Sequence, residues 1–403
     1  MSTSLLNRRF GIVGYHYVRQ DYLEDFTHFR ITQPRERLRC PICNSQNVWA
    51  QGGVERCFQT LPIGSQPTHI HFKVPRVRCF DCAKVLQVKI PFADPKKTYT
   101  HSLERYALEL SRHMTIQDVA QHLLLGWDTV KEMQAKHLQR QFGKPKLRKL
   151  KQIAIDEICI GQGHRYLTVV LNLLSGAVVF VGNGKGADAL KPCWARLKAS
   201  HAKVEAVAID MSTAYISAVR NNLKRAVLVF DHFHVVKLMN EKLSDLRRQL
   251  YHELTIKGKK LLKGIRWLLL MNQENLDPKK KEPQRLERAL KLNEPLAMGY
   301  YLKEYLRTIW HQPNKKKARM VLEDWLRMAR GSGVRMLERF ADTIEKYQEG
   351  ILNYYDYPIS TGPLEGMNNK IKLMQRQAYG FRDHEFFKLK ILGLHETKHA
   401  LVG

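Results

Sequence analysis

The sequence predicts a multidomain α/β protein in which an α/β domain is interrupted by an all-α insertion and preceded by two small modules. Three observations predict it. Residues 152–250 hold runs of Val, Ile and Leu separated by turn residues and helical stretches. Two Cys-x-x-Cys pairs lie upstream among apolar runs broken by Pro and Gly, and a Lys-rich helical stretch with Trp267, Trp310 and Trp325 lies downstream. The chain divides accordingly into 1–95, a zinc-binding module; 96–150, a helical module with a basic linker; 151–250, the first part of the α/β core; 251–350, the insertion; and 351–403, the last part of the core.

At 403 residues and 44% apolar, the chain is long enough for two to four domains with at least one sizeable core. No stretch reaches the roughly 18 uncharged apolar residues needed to cross a bilayer, and the opening MSTSLLNRRF has no apolar stretch of signal-peptide length. A cytoplasmic protein without a membrane partner is expected. Lys and Arg number 67 against 38 Asp and Glu, a net charge of +29 that suits a polyanion. The excess is spread along the chain: residues 1–150 carry 24 basic and 12 acidic side chains, and residues 241–330 carry 22 and 11. Ribosome or membrane-surface binding gives the same bias. Seven cysteines, four of them in two close pairs, argue against a disulfide framework and for metal binding in a reducing compartment.

In the first module Cys40-Pro-Ile-Cys43 and Cys79-Phe-Asp-Cys82 are separated by 35 residues. Each pair can present two thiolates at the separation a tetrahedral Zn²⁺ requires, so together they form a closed structural site in a β-rich, zinc-ribbon-like module spanning about 36–90. Buried or redox-active thiols are the alternative. Cys57, Cys159 and Cys193 have no such pairing and read as core or incidental.

From Leu103 to Phe142 the pattern is helical, and Thr115–Lys131 reads as a helix-turn-helix. Thr115 can cap the first helix, Val119 and Ala120 lie on its packing face, and Leu125-Gly126 makes the turn. A second helix from Asp128 or Thr129 then carries Lys131, Gln134, Lys136, His137 and Arg140 toward a major groove. A plain two-helix corner is the alternative. Residues 144–151 hold five cations, including Lys144, Lys146 and Arg148, and a proline; the segment reads as an extended linker suited to phosphates or merely solvated.

The α/β segment predicts strands at about 152–159, 165–174, 177–182, 204–210 and 226–231, with helices at 187–200, 213–223 and 233–250. Three hairpin-connected strands followed by two crossover strands is the order of a ribonuclease H-like domain. Downstream, Asp277-Pro-Lys-Lys-Lys-Glu-Pro breaks the insertion, and a late helix starts near Glu365 with Ser360 or Thr361 as cap.

Asp156 lies within Ile153-Ala-Ile-Asp-Glu-Ile and Asp210 ends Val207-Ala-Ile-Asp. A carboxylate in an apolar run needs a compensating partner, and two in one sheet suggest a shared cation. The first and fourth strands would be neighbours, bringing both to one end of the sheet, where Glu365 can add a third oxygen. Mg²⁺ favours such an all-oxygen site, and two ions can serve in-line phosphoryl displacement. A strand-end turn carboxylate is an equal reading for Asp156 alone; Glu157, on the opposite strand face, is second choice. Asp231 and His234 sit at the next strand-to-helix junction in a supporting position, although His232 and His234 could pair on a transition metal or simply start the helix. Asn368, Asn369, Lys372 and Arg376 follow Glu365 on adjoining helix faces, an arrangement suited to a metal-bound phosphate or to a solvated basic helix.

These motifs, with Ala154-Ile-Asp-Glu, Ala208-Ile-Asp-Met-Ser, Phe230-Asp-His-Phe-His-Val-Val-Lys and Ser360-Thr-Gly-Pro-Leu-Glu-Gly-Met-Asn-Asn-Lys-Ile-Lys, make nearly the whole chain resemble the ISL-three family of bacterial insertion-sequence transposases, of DDE type. The resemblance implies that Asp156, Asp210 and Glu365 bind two Mg²⁺ or Mn²⁺, that 251–350 is the insertion between the second and third acids, that Asp231 and His234 form an Asp-x-x-His accessory motif, and that Arg376 is a basic residue following the glutamate. It implies hydrolysis at element ends and strand transfer into target DNA, terminal inverted repeats as the recognised double-stranded DNA, a homo-oligomer, and a place on the nucleoid. A non-enzymatic zinc and helix-turn-helix regulator, and a ribonuclease H-like nuclease, are the rival readings.

Overall fold

The computed structural model describes residues 3–23, 26–161, 165–253 and 256–395. They fall into two compact units, one running to Gly143 and rejoined by Leu373–Gly393, the other spanning Lys144–Lys372.

In the first unit, helix α1 (Thr3–Phe10) precedes strands β1 (His16–Leu23), β2 (Phe26–Thr32), β3 (Val48–Ile63), β4 (Gln66–Cys79) and β5 (Val85–Gln87). They form one sheet in the order β1-β2-β4-β3, with β5 also on β4. It is larger than a zinc ribbon, because residues outside 36–90 contribute. Phe29, Phe58, Ile70, Phe72 and Val74 alternate onto one face and are buried with Leu6, Phe10 and Phe92. Helices α2 (His101–Leu110), α3 (Ile116–Leu123) and α4 (Trp127–Phe142) follow.

Thr115 caps α3 as its sequence position predicts. Its hydroxyl accepts the Asp118 amide at 3.1 Å while the Asp118 carboxylate accepts the Thr115 amide at 3.2 Å. Leu124 ends α3 in the left-handed region at φ 50°, and α4 begins at Trp127, slightly before the expected Asp128 or Thr129. The helices do not stand apart from the sheet. Gln59 on β3 donates to the Leu123 carbonyl at 2.6 Å, and Lys97 meets Glu132 of α4 at 2.5 Å.

In the second unit β6 (Gln152–Gly161), β7 (Arg165–Asn172), β8 (Val178–Asn183), β9 (Ala206–Ile209) and β10 (Val227–Phe230) form a sheet of order β10-β9-β6-β7-β8. The hairpins β6-β7-β8 are antiparallel, while β9 and β10 join parallel to β6. The connecting helices are α5 (Lys191–Ala199), α6 (Thr213–Asn222) and α7 (His232–Glu253). The strands and helices fall where Val/Ile/Leu runs and helical spacing locate them, and the first and fourth strands are neighbours. Leu147 and Leu150 of the basic segment are buried in this unit's core, so that segment is pinned by its apolar residues rather than being a free linker.

An all-α stretch follows: α8 (Ile256–Gly264), α9 (Glu282–Lys291), α10 (Glu294–Arg307), α11 (Lys315–Arg330) and α12 (Arg335–Leu352). Trp325 is fully buried and its indole N–H donates to the Leu302 carbonyl at 2.8 Å, whereas Trp267 is exposed. Gly350, near the end of α12, lies against Phe230; a Cβ there would sit 2.3 Å from the phenyl ring. Overpacking of this kind costs about 1–3 kcal/mol, so Gly350→Ala is expected to lower the urea midpoint with little change in slope.

The last helices are α13 (Gly362–Gln377) and α14 (His384–Gly393). Residues 351–403 were expected to complete the α/β core as one piece, but they divide. α14 packs on α4, with a Cβ at Gly393 lying 3.0–3.2 Å from the side chains of Leu138 and Phe142 and with Phe386 buried in the helical cluster of the first unit. Among the described residues no helix is long and apolar enough to cross a membrane.

Candidate active site and metal centre

In the parallel pair β6/β9, Ile153 faces Val207 and Ala154 faces Ala208; two residues further on stand Asp156 and Asp210. In β9/β10 Ile209 faces Phe230, after which the chain reaches Asp231. Asp156, midway along β6, thus stands level with Asp210 and Asp231, which lie just past the ends of β9 and β10.

Asp156 is half-buried. Its Oδ1 accepts the Glu157 amide at 2.8 Å and its Oδ2 accepts the Asn368 side-chain amide at 2.9 Å. Burial raises the Asp156 carboxyl above the ordinary carboxylate range; the Glu157 amide and His234 act against that rise, and Asp210 and Glu157 add to it. Asp210 Oδ1 accepts the Ser212 amide at 3.0 Å. Glu157 is engaged elsewhere, accepting the Tyr215 hydroxyl at 3.0 Å, and burial pushes that phenol up to about 12.

Asp231 is 3% exposed and accepts the Phe233 amide at 3.3 Å and the Thr361 hydroxyl. Thr361 lies just before α13, so this bond and Asn368–Asp156 fasten both ends of the helix's first two turns. The Ser360 hydroxyl meanwhile accepts the Gly362 amide at 3.3 Å, and α13 starts three residues before Glu365. Glu365 is exposed in the first turn of α13, one turn before Asn368. Among the described residues Asp156, Asp210 and Glu365 are not gathered into a set whose ligand atoms all lie within 4.8 Å. Asn368 of α13 hydrogen-bonds Asp156. Its Oδ1 is buried without a protein partner, and sequence spacing placed Asn368 on the right face without revealing that contact. Lys372 is exposed on α13, and Arg376 is exposed in its last turn, about 16 Å along the helix from Glu365.

The cysteine pairs do converge. Cys40, Cys43, Cys79 and Cys82 place their sulfurs within 4.8 Å of one another, with Cys40–Cys82 and Cys43–Cys79 both at 3.5 Å. The backbone amides of Cys43 and then Ile42 lower the Cys40 thiol to about 6, while its neighbour Cys40 pushes Cys82 up to about 12. Four soft donors at this separation suit a closed tetrahedral Zn²⁺ site.

The cations expected on α4 are spoken for. Lys131 pairs with Asp383 at 2.8 Å, Lys136 pairs with Asp94 and, at 3.2 Å, with Glu104, and Gln134 is buried. These pairs brace the unit, and Lys136 stays exposed while making them. Arg140 remains exposed, as do Lys144, Lys146 and Arg148.

Residues 88–137 match a helix-turn-helix domain of transposase family ISL3, and residues 153–391 match that family's transposase domain. A helix-turn-helix joined to such a domain defines a protein that acts on DNA. The chain is 31% identical over 360 residues to the transposase for insertion sequence element IS1001 of Bordetella parapertussis, covering 88% of each. It is 25% identical over 378 residues to the transposase for insertion sequence element IS1557 of Mycobacterium tuberculosis, covering 87% of this chain and 84% of the relative. This chain belongs to transposase family ISL3.

Proposed function

We propose that the protein binds the terminal inverted repeats of a bacterial insertion sequence in double-stranded DNA, hydrolyses phosphodiester bonds at the element ends and transfers the freed 3′-hydroxyls to target DNA. One observation carries this reading: Asp156, midway along β6, stands level with Asp210 just past the end of the neighbouring parallel strand β9, and burial raises the Asp156 carboxyl above the ordinary range. The sheet order β10-β9-β6-β7-β8 supports reading the core as ribonuclease H-like, and the α-helical stretch between Asp210 and Glu365 in sequence is read as its insertion.

Asp156, Asp210 and Glu365 form the metal-binding triad in this proposal. The oxygen-only donor set, together with the unpartnered Asn368 Oδ1, fits Mg²⁺ or Mn²⁺. Two bound ions supply Lewis-acid activation of the attacking oxygen and stabilisation of the leaving one. Asp231 is a positioning residue that holds Thr361, and thereby the start of α13, against the sheet edge. His234 tempers the charge of Asp156, and Arg376 is an accessory cation further along α13. The Cys40/Cys43/Cys79/Cys82 site takes a structural Zn²⁺. Arg140, Lys144, Lys146, Arg148 and Lys372 contact phosphates, whereas Lys131, Gln134 and Lys136 support DNA contact indirectly through the fold of the helix-turn-helix. A homo-oligomer acting on the nucleoid in the cytoplasm joins two ends in one complex.

The test is incubation of the protein with a labelled fragment carrying the native element ends and Mg²⁺ or Mn²⁺. Metal-dependent nicking at the ends is expected. End binding with no cleavage under any metal would replace this reading with that of a DNA-binding regulator, and cleavage without joining would replace it with a nuclease.

A further inference from the structure

The α-helical stretch carries cations that the catalytic edge does not use. Leu262, Ile265, Leu268 and Leu269 around the end of α8 are buried against Leu286 and Ala289 of α9. This packing leaves the intervening residues outward: Lys260, Lys263, Arg266 and Trp267 on one side, Arg285 and Arg288 on the other. Between them lies a concavity of about 490 Å³ lined by Lys260, Gly264, Lys281, Gln284, Arg285 and Arg288.

These cations differ from those of α4 in having no carboxylate. Among the described residues no acidic group comes within ion-pairing distance of Lys260, Lys281, Arg285 or Arg288; Glu287, which lies between the two arginines in sequence, pairs instead with Lys291 at 2.6 Å, and Glu282 accepts the Asp277 amide at 2.9 Å. The Arg285 guanidinium donates to the Gly264 carbonyl at 3.0 Å, which fixes its place at the rim while keeping its full charge. Like charges crowd nearby as well. Burial first, and then the guanidiniums of Arg266 and Arg248, lower the pKa of Arg247. Trp267 is 67% exposed with the Arg266 guanidinium 4.7 Å from its ring centre. A surface that gathers uncompensated cations in a concavity repels itself and attracts a polyanion.

We propose that this concavity is a seat for the phosphate backbone of duplex DNA, with Lys260, Lys281, Arg285 and Arg288 each neutralising a phosphate without reading sequence. The seat rests on the reading that DNA is the substrate. Sequence-independent contact of this kind releases one set of condensed counterions per phosphate, so each contact leaves a mark on the salt dependence.

The experiment is fluorescence anisotropy of the full-length protein with a labelled 30-base-pair duplex of arbitrary sequence, over a range of NaCl concentrations. Replacing the four cations together by glutamine is expected to make log K against log[NaCl] shallower by about 3.6, at about 0.9 per phosphate contact. A second variant, Lys260→Gln with Lys281→Gln and Arg288→Gln, keeps the Arg285–Gly264 bond and is expected to lose about 2.7. An unchanged slope in this second variant, with unchanged thermal unfolding, overturns the seat; so does a folded RNA that displaces the duplex more tightly than duplex competitor does. A shallower slope in the variants together with a parent protein that never cleaves element ends overturns the transposition mechanism and leaves the seat standing. A parent that cleaves while the variant's slope is unaltered does the reverse.

Discussion

Asp210→Ala is expected to reduce metal-dependent nicking at element ends by about 10³-fold or more, equivalent to about 4 kcal/mol of transition-state stabilisation, while leaving duplex binding and its salt slope unchanged. Asp210 sits just past the end of β9, and its carboxylate accepts the Ser212 amide at 3.0 Å. Alanine therefore removes one part-buried turn bond beyond the end of the strand, so the folded state is expected to persist. The comparison with Glu157→Gln sharpens the assignment. Glu157 is adjacent to Asp156 but occupied by Tyr215, and its replacement is expected to retain most of the nicking activity. Equal losses in Asp210→Ala and Glu157→Gln, or full activity in Asp210→Ala, would remove the triad from the mechanism. Activity is read by gel separation of end-labelled products, and folding by thermal melting of the same samples.

The second large effect is expected at the cysteine site. Structural zinc contributes about 10–16 kcal/mol of apparent binding energy in small domains, and losing one of four ligands belongs with the exceptional single substitutions, those above about 4 kcal/mol. Cys79 ends β4 and is buried, two residues after the core residue Val77, so Cys79→Ser is expected to lower zinc content from one ion per chain toward zero and to loosen the β3/β4 hairpin. Element-end binding should fall with it. Zinc is counted by elemental analysis and the hairpin by hydrogen exchange. Cys57→Ser, at an exposed cysteine outside the cluster, is the control that should keep its zinc. Full zinc content in Cys79→Ser would show that the four thiols do not act as one site.

Much of this was legible in the sequence because the signals are local. Asp156 and Asp210 announce themselves as charges inside apolar runs, the cysteines by their spacing, and Thr115 by its place three residues before Asp118. The features that escaped depend on partners remote in sequence. Helical periodicity turns Lys131 and Lys136 outward, but only the tertiary fold supplies Asp383, Asp94 and Glu104 to neutralise them. Nothing local marks α14 as a neighbour of α4, since Phe386 and Gly393 would serve equally well in any core. Likewise the bond from Asn368 to Asp156 joins residues 212 apart, beyond the reach of any window of sequence. The excess charge of residues 241–330 could be counted but not located, because which cations keep a carboxylate is decided by packing.

The bonds from Asp231 to Thr361 and from Asp156 to Asn368 span 130 and 212 residues of chain. On a ribosome adding roughly 5–20 residues per second, the aspartates of the sheet edge emerge on the order of 7–40 s before the helix that is to join them. The nascent chain consequently passes through a long interval in which two proposed metal ligands exist without the third, and any product truncated before α13 remains in that condition. A chain released before α13 is made therefore carries two of the proposed metal ligands and not the third.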